Sequence, residues 1–287
     1  MIAVVGATGN TGRAVVKALK ALGQDPICIV RNAQKAREVL GPDAKTAVAE
    51  LTDRPALEQA LKGVTSVFVV TGHNPQMVEQ QNNVLDATLQ AGVTYLVRVS
   101  GNRQLITPDS GSVIGRSHYA IEEKLRASGI KWVILRPGLF MQNTLAQAPL
   151  IKNENKMALA FPKDVPLAFV DTRDSGAFAA HVVRDPGKHA GKTYEYTGVR
   201  SSFGEFAKDF SELLGRPITY VELSLEQAEQ AMKGRGMPDW LVAHQIAVAR
   251  AAAKGGFSNE NTQPILEILG RSPLTIKQFI EDHKAAF

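Results

Sequence analysis

The sequence has one cysteine, no long apolar run and no signal-peptide pattern, and each absence excludes a class of protein. Cys28 is the only cysteine among 287 residues, so no disulfide can form within the chain and a reducing compartment is expected. No apolar stretch approaches the ~20 residues that a membrane helix needs. The short run Ile2–Val5 has neither the charged lead nor the cleavage site of a signal peptide. We therefore expect a cytoplasmic protein with no membrane partner.

The residue patterns that indicate nucleic-acid binding and metal binding are also absent. Thirty-three basic residues against 28 acidic ones leave a formal net charge of +5, without a basic block interleaved with aromatic residues. The six histidines show no metal-ligand spacing, and no Gly-x-Ser-x-Gly motif for acyl transfer is present. We expect neither a nucleic-acid partner nor a metal site. The hydrophobic content of 44% excludes a disordered chain.

Strand-like and helix-like segments alternate through the first half of the chain. Short apolar runs predict buried strands at residues 2–5, 27–30, 46–49, 66–70, 95–99 and 132–135. Helical spacing occupies residues 11–22, 33–40, 55–61, 76–90 and 117–127. This alternation predicts βαβ units, and hence an α/β protein with a doubly wound parallel sheet of the Rossmann type. Ligands of such folds bind beyond the carboxyl ends of the strands, so the loops after strands are the places to search.

The alternation stops after about residue 140. Prolines punctuate the next stretch, and helices are predicted at residues 206–214, 225–233, 239–254 and 276–284. We predict a dinucleotide-binding domain at residues 1–145, to which later segments can return, and a smaller, mostly helical substrate-binding lobe at residues 146–287.

A glycine-rich turn lies directly between the first strand and the first helix. Residues 6–12 read Gly-Ala-Thr-Gly-Asn-Thr-Gly. In this spacing the first glycine allows a tight turn, the second lets backbone N–H groups approach a pyrophosphate, and the third lets helix and strand pack closely. A glycine turn that binds nothing is the less favoured alternative, because strand, turn and helix agree. The predicted cofactor-binding residues are Gly6, Thr8, Gly9, Asn10, Thr11 and Gly12.

The end of the second strand indicates which dinucleotide is bound. An enzyme that uses NAD places Asp or Glu there for the ribose 2′-hydroxyl, whereas this chain has Arg31. A guanidinium can pair with a 2′-phosphate and stack beside the adenine, so NADPH is expected in preference to NADH. Lys35 is assigned to the same phosphate, with a solvated helix face as the alternative. For Arg37 the solvated face is the preferred interpretation.

Polar residues also follow the fourth and fifth strands, on the predicted ligand edge. A single serine or histidine in a loop is more often a surface residue than a functional one. Only a position on the predicted ligand edge makes it a candidate site residue. We predict that Ser100, after the fifth strand, offers a hydroxyl at the reaction centre. The residues assigned to the cofactor after the fourth strand are Val70, Thr71, Gly72 and His73.

Further segments give the chain a family resemblance. Residues 136–143 read Arg-Pro-Gly-Leu-Phe-Met-Gln-Asn, residues 169–174 read Phe-Val-Asp-Thr-Arg-Asp, and residues 270–275 with Phe279 continue the pattern. Together with the glycine turn they resemble the NmrA-like atypical short-chain dehydrogenases/reductases, in particular their flavin-independent NAD(P)H azoreductases and NAD(P)H:quinone oxidoreductases. The resemblance implies a Rossmann domain that binds NADP(H), with Pro137, Gly138 and Phe140 passing the nicotinamide and the substrate.

One departure from typical short-chain dehydrogenases bears on the chemistry. Those enzymes use a Tyr-x-x-x-Lys motif, but here Tyr119 and Lys124 are five residues apart. Aligned on Glu122, the lysine position is His118 and the tyrosine position is Ile114. Without the phenol as general acid, alcohol/ketone interconversion is in doubt. His118 is predicted to orient the nicotinamide ribose or to donate a proton, and a helix histidine satisfied by a backbone carbonyl is an equally good interpretation.

The chemistry that remains is hydride transfer to an easily reduced acceptor. A quinone or a conjugated azo bond spreads the developing negative charge, so a strong proton donor is not needed. We predict an NADPH-dependent reductase that transfers hydride, without flavin, to small aromatic acceptors of this kind. Imines remain open as acceptors. The alternative is a non-catalytic NADP(H) redox sensor that acts through a protein partner. A homodimer is the expectation from base rates alone.

Overall fold

The computed structural model describes all 287 residues, and strands alternate with helices through residue 137 as the sequence predicts. The strands are β1 (Ile2–Val5), β2 (Ile27–Val30), β3 (Thr46–Val48), β4 (Ser66–Val69), β5 (Tyr95–Val99), β6 (Lys131–Pro137), β7 (Leu139–Phe140), β8 (Lys156–Leu159), β9 (Leu167–Val170), β10 (Lys192–Tyr196), β11 (Val199–Ser201) and β12 (Thr219–Glu222). The helices are α1 (Asn10–Ala21), α2 (Ala33–Leu40), α3 (Arg54–Ala60), α4 (Met77–Gln90), α5 (Val113–Ala127), α6 (Ala148–Glu154), α7 (Thr172–Arg184), α8 (Pro186–His189), α9 (Phe203–Leu214), α10 (Leu225–Gly234), α11 (Asp239–Ala253), α12 (Gln263–Leu269) and α13 (Ile276–Asp282).

A seven-stranded sheet has the order β10-β6-β5-β4-β1-β2-β3. Neighbouring strands from β3 to β6 pair in parallel. The chain builds outward from β1 in one direction through β3 and in the other direction from β4. The strand order therefore reverses between β1 and β4, which is where a doubly wound sheet opens its ligand crevice. The predicted fold class is confirmed.

The chain divides into two compact units whose segments interleave. The first unit comprises Met1–Gly101, Ser117–Pro137 and Thr172–Glu195, and the second comprises Asn102–Arg116, Gly138–Asp171 and Tyr196–Phe287. A cofactor-binding domain at residues 1–145 and a substrate-binding lobe at residues 146–287 stay predictions.

Helices cover the sheet of the first unit, and two of its helices, α7 and the short α8, were not expected from the sequence. Every residue of β1, β4 and β5 is buried, as strands with both faces covered should be. Helix α7 packs against α1. A Cβ added at Gly176 would lie 2.4 Å from the Cβ of Ala14, so only glycine permits this close approach.

The second unit combines helices with two small sheets, ordered β11-β9-β7 and β12-β8. Its helices α9, α10, α11 and α13 lie within a few residues of the predicted ones. The five strands are additions to the predicted, mostly helical lobe. Capping boxes begin three of the helices, because a Ser or Thr side chain and the side chain three residues later each accept from the other's backbone N–H. The capping residues are Ser202, Ser224 and Thr275.

Aromatic side chains fill the core of the second unit. Phe169 of β9 meets Phe203 and Phe206 of α9 edge-on, each with ring centroids 5.4 Å apart. Phe206 also contacts Phe279 of α13. All four side chains are buried, and such rings contribute to stability through both their area and their edge-to-face geometry.

No helix of the chain combines the length and the apolar character that crossing a membrane requires.

Candidate active site

The predicted site residues of the first unit lie after neighbouring strands, at one edge of the sheet. Strands β2, β1, β4 and β5 are adjacent in that order, and the chain leaves them at Arg31, Gly6, Val70 and Ser100. Parallel strands are spaced by about 4.8 Å, so the four loops span about 14 Å along the edge. An extended dinucleotide fits along such a row of loops.

Two of the three turn glycines are required by the fold itself. Gly6 has a φ of +82°, and a Cβ there would lie 1.8 Å from the carbonyl oxygen of Val70. A Cβ on Gly12 would lie 2.0 Å from the carbonyl oxygen of Gly6. These contacts hold the glycine turn against the end of β4 and the start of α1 against the turn.

Gly9 is different, because nothing in the chain requires it. A Cβ there would meet the Gly6 oxygen at 3.5 Å, an ordinary contact, and its φ of −77° suits any residue. Gly9 is the N-cap of α1, where no side chain accepts a hydrogen bond from the first turn and no acidic residue is present. The free N–H groups and the helix dipole favour an anion there. The turn therefore fits a pyrophosphate.

The residues predicted to bind the cofactor in and near this turn differ in their exposure to solvent. Thr8 and Asn10 are exposed, whereas Thr11 is buried in the first turn of α1. Arg31 and Lys35 are exposed one strand away, and neither side chain forms an ion pair. Arg31, directly after β2, and Lys35, in α2, are thus cations without an ion pair, and they suit a second phosphate group.

A chain of hydrogen bonds connects the loop after β4 to His118. The Gln81 amide nitrogen donates to Thr71 Oγ1 at 2.7 Å, and Gln81 Oε1 accepts from Arg98 Nε at 2.6 Å. Arg98 Nη2 lies 2.6 Å from His118 Nδ1. The predicted loop residue and the predicted catalytic histidine are thereby joined through two buried side chains.

Glu122 gathers a second group of polar side chains. Ser100 Oγ donates to Glu122 Oε1 at 2.6 Å, so this hydroxyl keeps only acceptor capacity for a ligand. Arg136 donates to both carboxylate oxygens, at 3.1 and 2.6 Å, and also to Glu195 at 3.0 Å. Arg126 adds a contact of 2.8 Å. Burial alone would raise the pKa of Glu122, but the hydrogen bonds from Arg136 and Ser100 hold that pKa below its ordinary value.

Further groups surround the ring of His118. His73 meets it edge-on, with ring centroids 5.7 Å apart. A Cβ added at Gly101 would come within 3.3 Å of His118 Cδ2 and 3.4 Å of Nε2. The structure thus brings Thr71, His73, Ser100 and His118 to one end of the row of loops.

The segment that carries the family resemblance has packing reasons of its own. Pro137 is buried at the end of β6 in the first unit. Gly138 belongs to the second unit, where a Cβ would lie 2.6 Å from the carbonyl oxygen of Ala168. Phe140 pairs with Val170 in the small sheet. A role for these three residues at the nicotinamide stays a prediction.

The alignment of α5 with short-chain dehydrogenases stays a prediction, and the structure shows where its two aligned residues lie. Ile114, at the tyrosine position, is buried with 1% of its surface exposed. His118 lies one turn further along α5, and its Nδ1 contacts the Arg98 side chain rather than a backbone carbonyl. No phenol therefore occupies the tyrosine position.

Sequence reasoning missed the buried charges behind the site. Arg98 is a single cation within the apolar strand Tyr95–Val99, a signal that was visible in the sequence. Glu122 served only as an alignment point, and its partners Arg126, Arg136 and Glu195 received no role. Nothing in the local pattern tells which cation a given carboxylate will meet.

Comparison with known proteins agrees with these features. The model of the NmrA-like family matches residues 1–264. An NAD(P)H azoreductase from Xenophilus azovorans is 35% identical, over 100% of this chain and 99% of the relative. A (4-alkanoyl-5-oxo-2,5-dihydrofuran-3-yl)methyl phosphate reductase from Streptomyces griseus is 32% identical, over 100% and 99%. The crystal structure of an NADPH-dependent quinone oxidoreductase from Escherichia coli, complexed with NADPH, superposes with a TM-score of 0.86, at 28% identity over 98% of this chain and 99% of that one.

We predict that Glu122→Gln lowers the free energy of unfolding by about 3 kcal/mol at pH 7, because it removes the buried charge that Arg136 and Arg126 share. The lowered pKa of Glu122 makes this contribution fully present above its ordinary value of 4.5 and lost as the pH falls through the lower folded-state value. Urea unfolding of both proteins at several pH values measures the difference, which we expect to shrink below pH 4.5.

The matched control is Glu123→Gln, on the exposed face of the same helix. Glu123 contacts Arg126 alone at 3.1 Å, and we expect a change within about 0.5 kcal/mol. An equal loss in both variants, or a Glu122→Gln effect that is the same at pH 4 and pH 7, would contradict the assignment.

Proposed function

Since the chain belongs to the NmrA-like family, we propose that it is an NAD(P)H-dependent reductase that transfers hydride, without flavin, to conjugated acceptors such as azo compounds and quinones. The observation that carries the proposal is the start of α1, where no contact within the chain requires a glycine at position 9 and no side chain caps the N–H groups of the first helical turn, which suit a pyrophosphate. The relatives described above support it, because each is named for a reduction.

The row of loops would hold the cofactor in an extended form. The turn of residues 6–12 binds the pyrophosphate at the start of α1. Arg31 and Lys35 bind the ribose phosphate on one side, and the residues after β4 and β5 hold the nicotinamide on the other. When bound, NADPH supplies a hydride from its nicotinamide, and a proton from solvent completes the two-electron reduction of the acceptor.

His118 and Ser100 would serve the reaction centre as hydrogen-bonding groups. Ser100 Oγ donates a hydrogen bond to Glu122 and would accept one from the ligand, while His118 would bind an oxygen of the nicotinamide ribose or of the acceptor. Neither is a strong acid, and buried Ile114 stands where a catalytic phenol would be. Acceptors that delocalise charge, as quinones and azo compounds do, match a site of this kind.

A cytoplasmic location and a homodimer accompany the proposal. The single thiol supports the reducing compartment: Cys28 is buried, and burial raises its pKa to about 11, so it stays an unreactive core residue. The homodimer rests on base rates alone.

Turnover is the first test of the function. We expect purified, flavin-free protein to oxidise NADPH in the presence of quinones or azo dyes, with saturation in the acceptor. Cyclic imines and simple ketones complete the panel, and ketones should react slowest because their alkoxide product lacks a proton donor. Tight NADPH binding with no turnover of any acceptor would contradict the proposal and favour a redox sensor.

The glycine turn gives a second prediction. Gly9→Ala should leave the fold intact, because its Cβ has ordinary room, yet raise the dissociation constant for NADPH about tenfold or more by crowding the phosphate contact. Calorimetric titration measures the affinity, and thermal unfolding checks the fold. Gly12→Ala is the contrasting variant, since its Cβ would meet the Gly6 oxygen and should destabilise the protein itself. Unchanged NADPH affinity in Gly9→Ala would refute pyrophosphate binding by this turn.

Cofactor choice gives a third prediction. Arg31→Ala should raise the KM for NADPH about thirtyfold, the effect of losing a charge-assisted contact of ~2 kcal/mol, and leave the KM for NADH nearly unchanged. Steady-state kinetics with both cofactors measure this. Arg37→Ala is the matched control, because Arg37 is an exposed cation in the last turn of α2. Equal effects of Arg31→Ala on both cofactors would exclude a 2′-phosphate contact.

A further inference from the structure

A positively charged side chain lies buried in the centre of the sheet. Arg98 belongs to β5, pairs with Val69 of β4 and Ile134 of β6, and exposes 1% of its surface. Burying a guanidinium costs several kcal/mol unless every donor finds a partner. Arg98 Nη1 is buried and has no hydrogen-bond partner, so stability alone is a poor reason for this residue.

The arrangement of β5 and α5 explains what Arg98 contacts. Residues two apart on a strand share a face, and residues four apart on a helix share a face. Arg98 and Ser100 therefore face α5 together, and His118 and Glu122 face β5 together. The contacts run in matched pairs, from Arg98 to His118 and from Ser100 to Glu122, both at 2.6 Å.

The contact between Arg98 and His118 determines where the imidazole proton lies. A guanidinium has donors and no acceptor, so Nδ1 of His118 must accept and carry no proton. Burial lowers the pKa of Arg98 to about 10, which still leaves the group charged at neutral pH. The ring proton of His118 is therefore on Nε2. Protonating Nδ1 as well would break the contact and place two cations against each other.

Other charged and titratable groups face His118. Glu122 lies one turn further along α5 and acts on Arg98 through space, but its carboxylate oxygens are taken by Ser100, Arg136 and Arg126. His73, after β4, meets the ring edge-on. Arg98 Nη2 contacts the ring directly at Nδ1.

We infer that Arg98 is a positioning residue, which holds His118 as the neutral tautomer protonated at Nε2 and so makes it a fixed hydrogen-bond donor rather than an acid. Gln81 bonds to Arg98 Nε and orients the guanidinium, while joining it to Thr71. With Ser100 held as an acceptor by Glu122, the site presents one donor and one acceptor of fixed direction. Only the use of this donor rests on the proposed function.

The test begins with the unaltered protein. Long-range ¹H–¹⁵N correlation spectra of protein labelled at its six histidines distinguish the two neutral tautomers from the imidazolium, and His118→Gln identifies the signals of interest. We expect Nε2 protonated and Nδ1 unprotonated, with no change between about pH 5.5 and 8, where a free histidine titrates. An Nδ1-protonated ring, or titration of His118 within this range, would overturn the inference.

Two variants then separate the contact from the general loss of a cation. In Arg98→Met, Nδ1 of His118 loses the donor that keeps it unprotonated, so we expect the ring to take up a proton as the pH falls, and the pH profile of kcat to gain an ionisation that the unaltered enzyme lacks. Arg126→Met is the matched control, because Arg126 contacts Glu122 but not His118, and its His118 spectrum should not change. If His118 in a folded Arg98→Met protein stays neutral throughout, the positioning role is refuted.

The spectra are recorded without NADPH, so they do not depend on turnover. Absence of turnover together with the expected tautomer would refute the proposed function and leave the positioning role intact. Turnover together with the wrong tautomer would refute the positioning role alone. Should Arg98→Met fail to fold, the spectrum of the unaltered protein decides the question.

Discussion

The carboxylate of Glu122 lies where two strands and a helix meet, and it accepts from Ser100 after β5, Arg136 of β6 and Arg126 of its own helix. With 1% of the residue exposed, any of these partners left unmet would be expensive. The interaction therefore holds one face of α5 against the ends of β5 and β6. The orientations of His118 and Ser100 follow from that packing.

The same arrangement limits the chemistry that this edge of the sheet can perform. Reducing a ketone concentrates charge on one oxygen, and enzymes that do so need a proton donor at that atom. Here the Ser100 hydroxyl donates a hydrogen bond to Glu122, and His118 Nδ1 accepts one from Arg98. Under the proposed function, such a site would suit acceptors that disperse charge by conjugation.

Much of the first unit could be predicted from the sequence, because its strands are continuously apolar and its helices end at glycines. The second unit was harder. Strand β7 has two residues, too few for a pattern, and β9 follows a stretch in which prolines obscure the order of the elements. In the first unit, helix α7 was missed because Gly176 lies in its second turn, and a glycine inside a helical pattern weakens the prediction of a helix.

The sequence by itself determined the parallel sheet, the glycine turn and the cations after β2, since burial periodicity, backbone freedom at Gly6 and residue type at a strand end are local properties. Only the tertiary structure decided that Arg98 meets His118, 20 residues away, and that Glu122 meets Arg136 rather than another cation. Charges pair according to which faces pack together, and that depends on the whole sheet. The protonation of the site residues is therefore a property of the fold, although the residues themselves are visible in the chain.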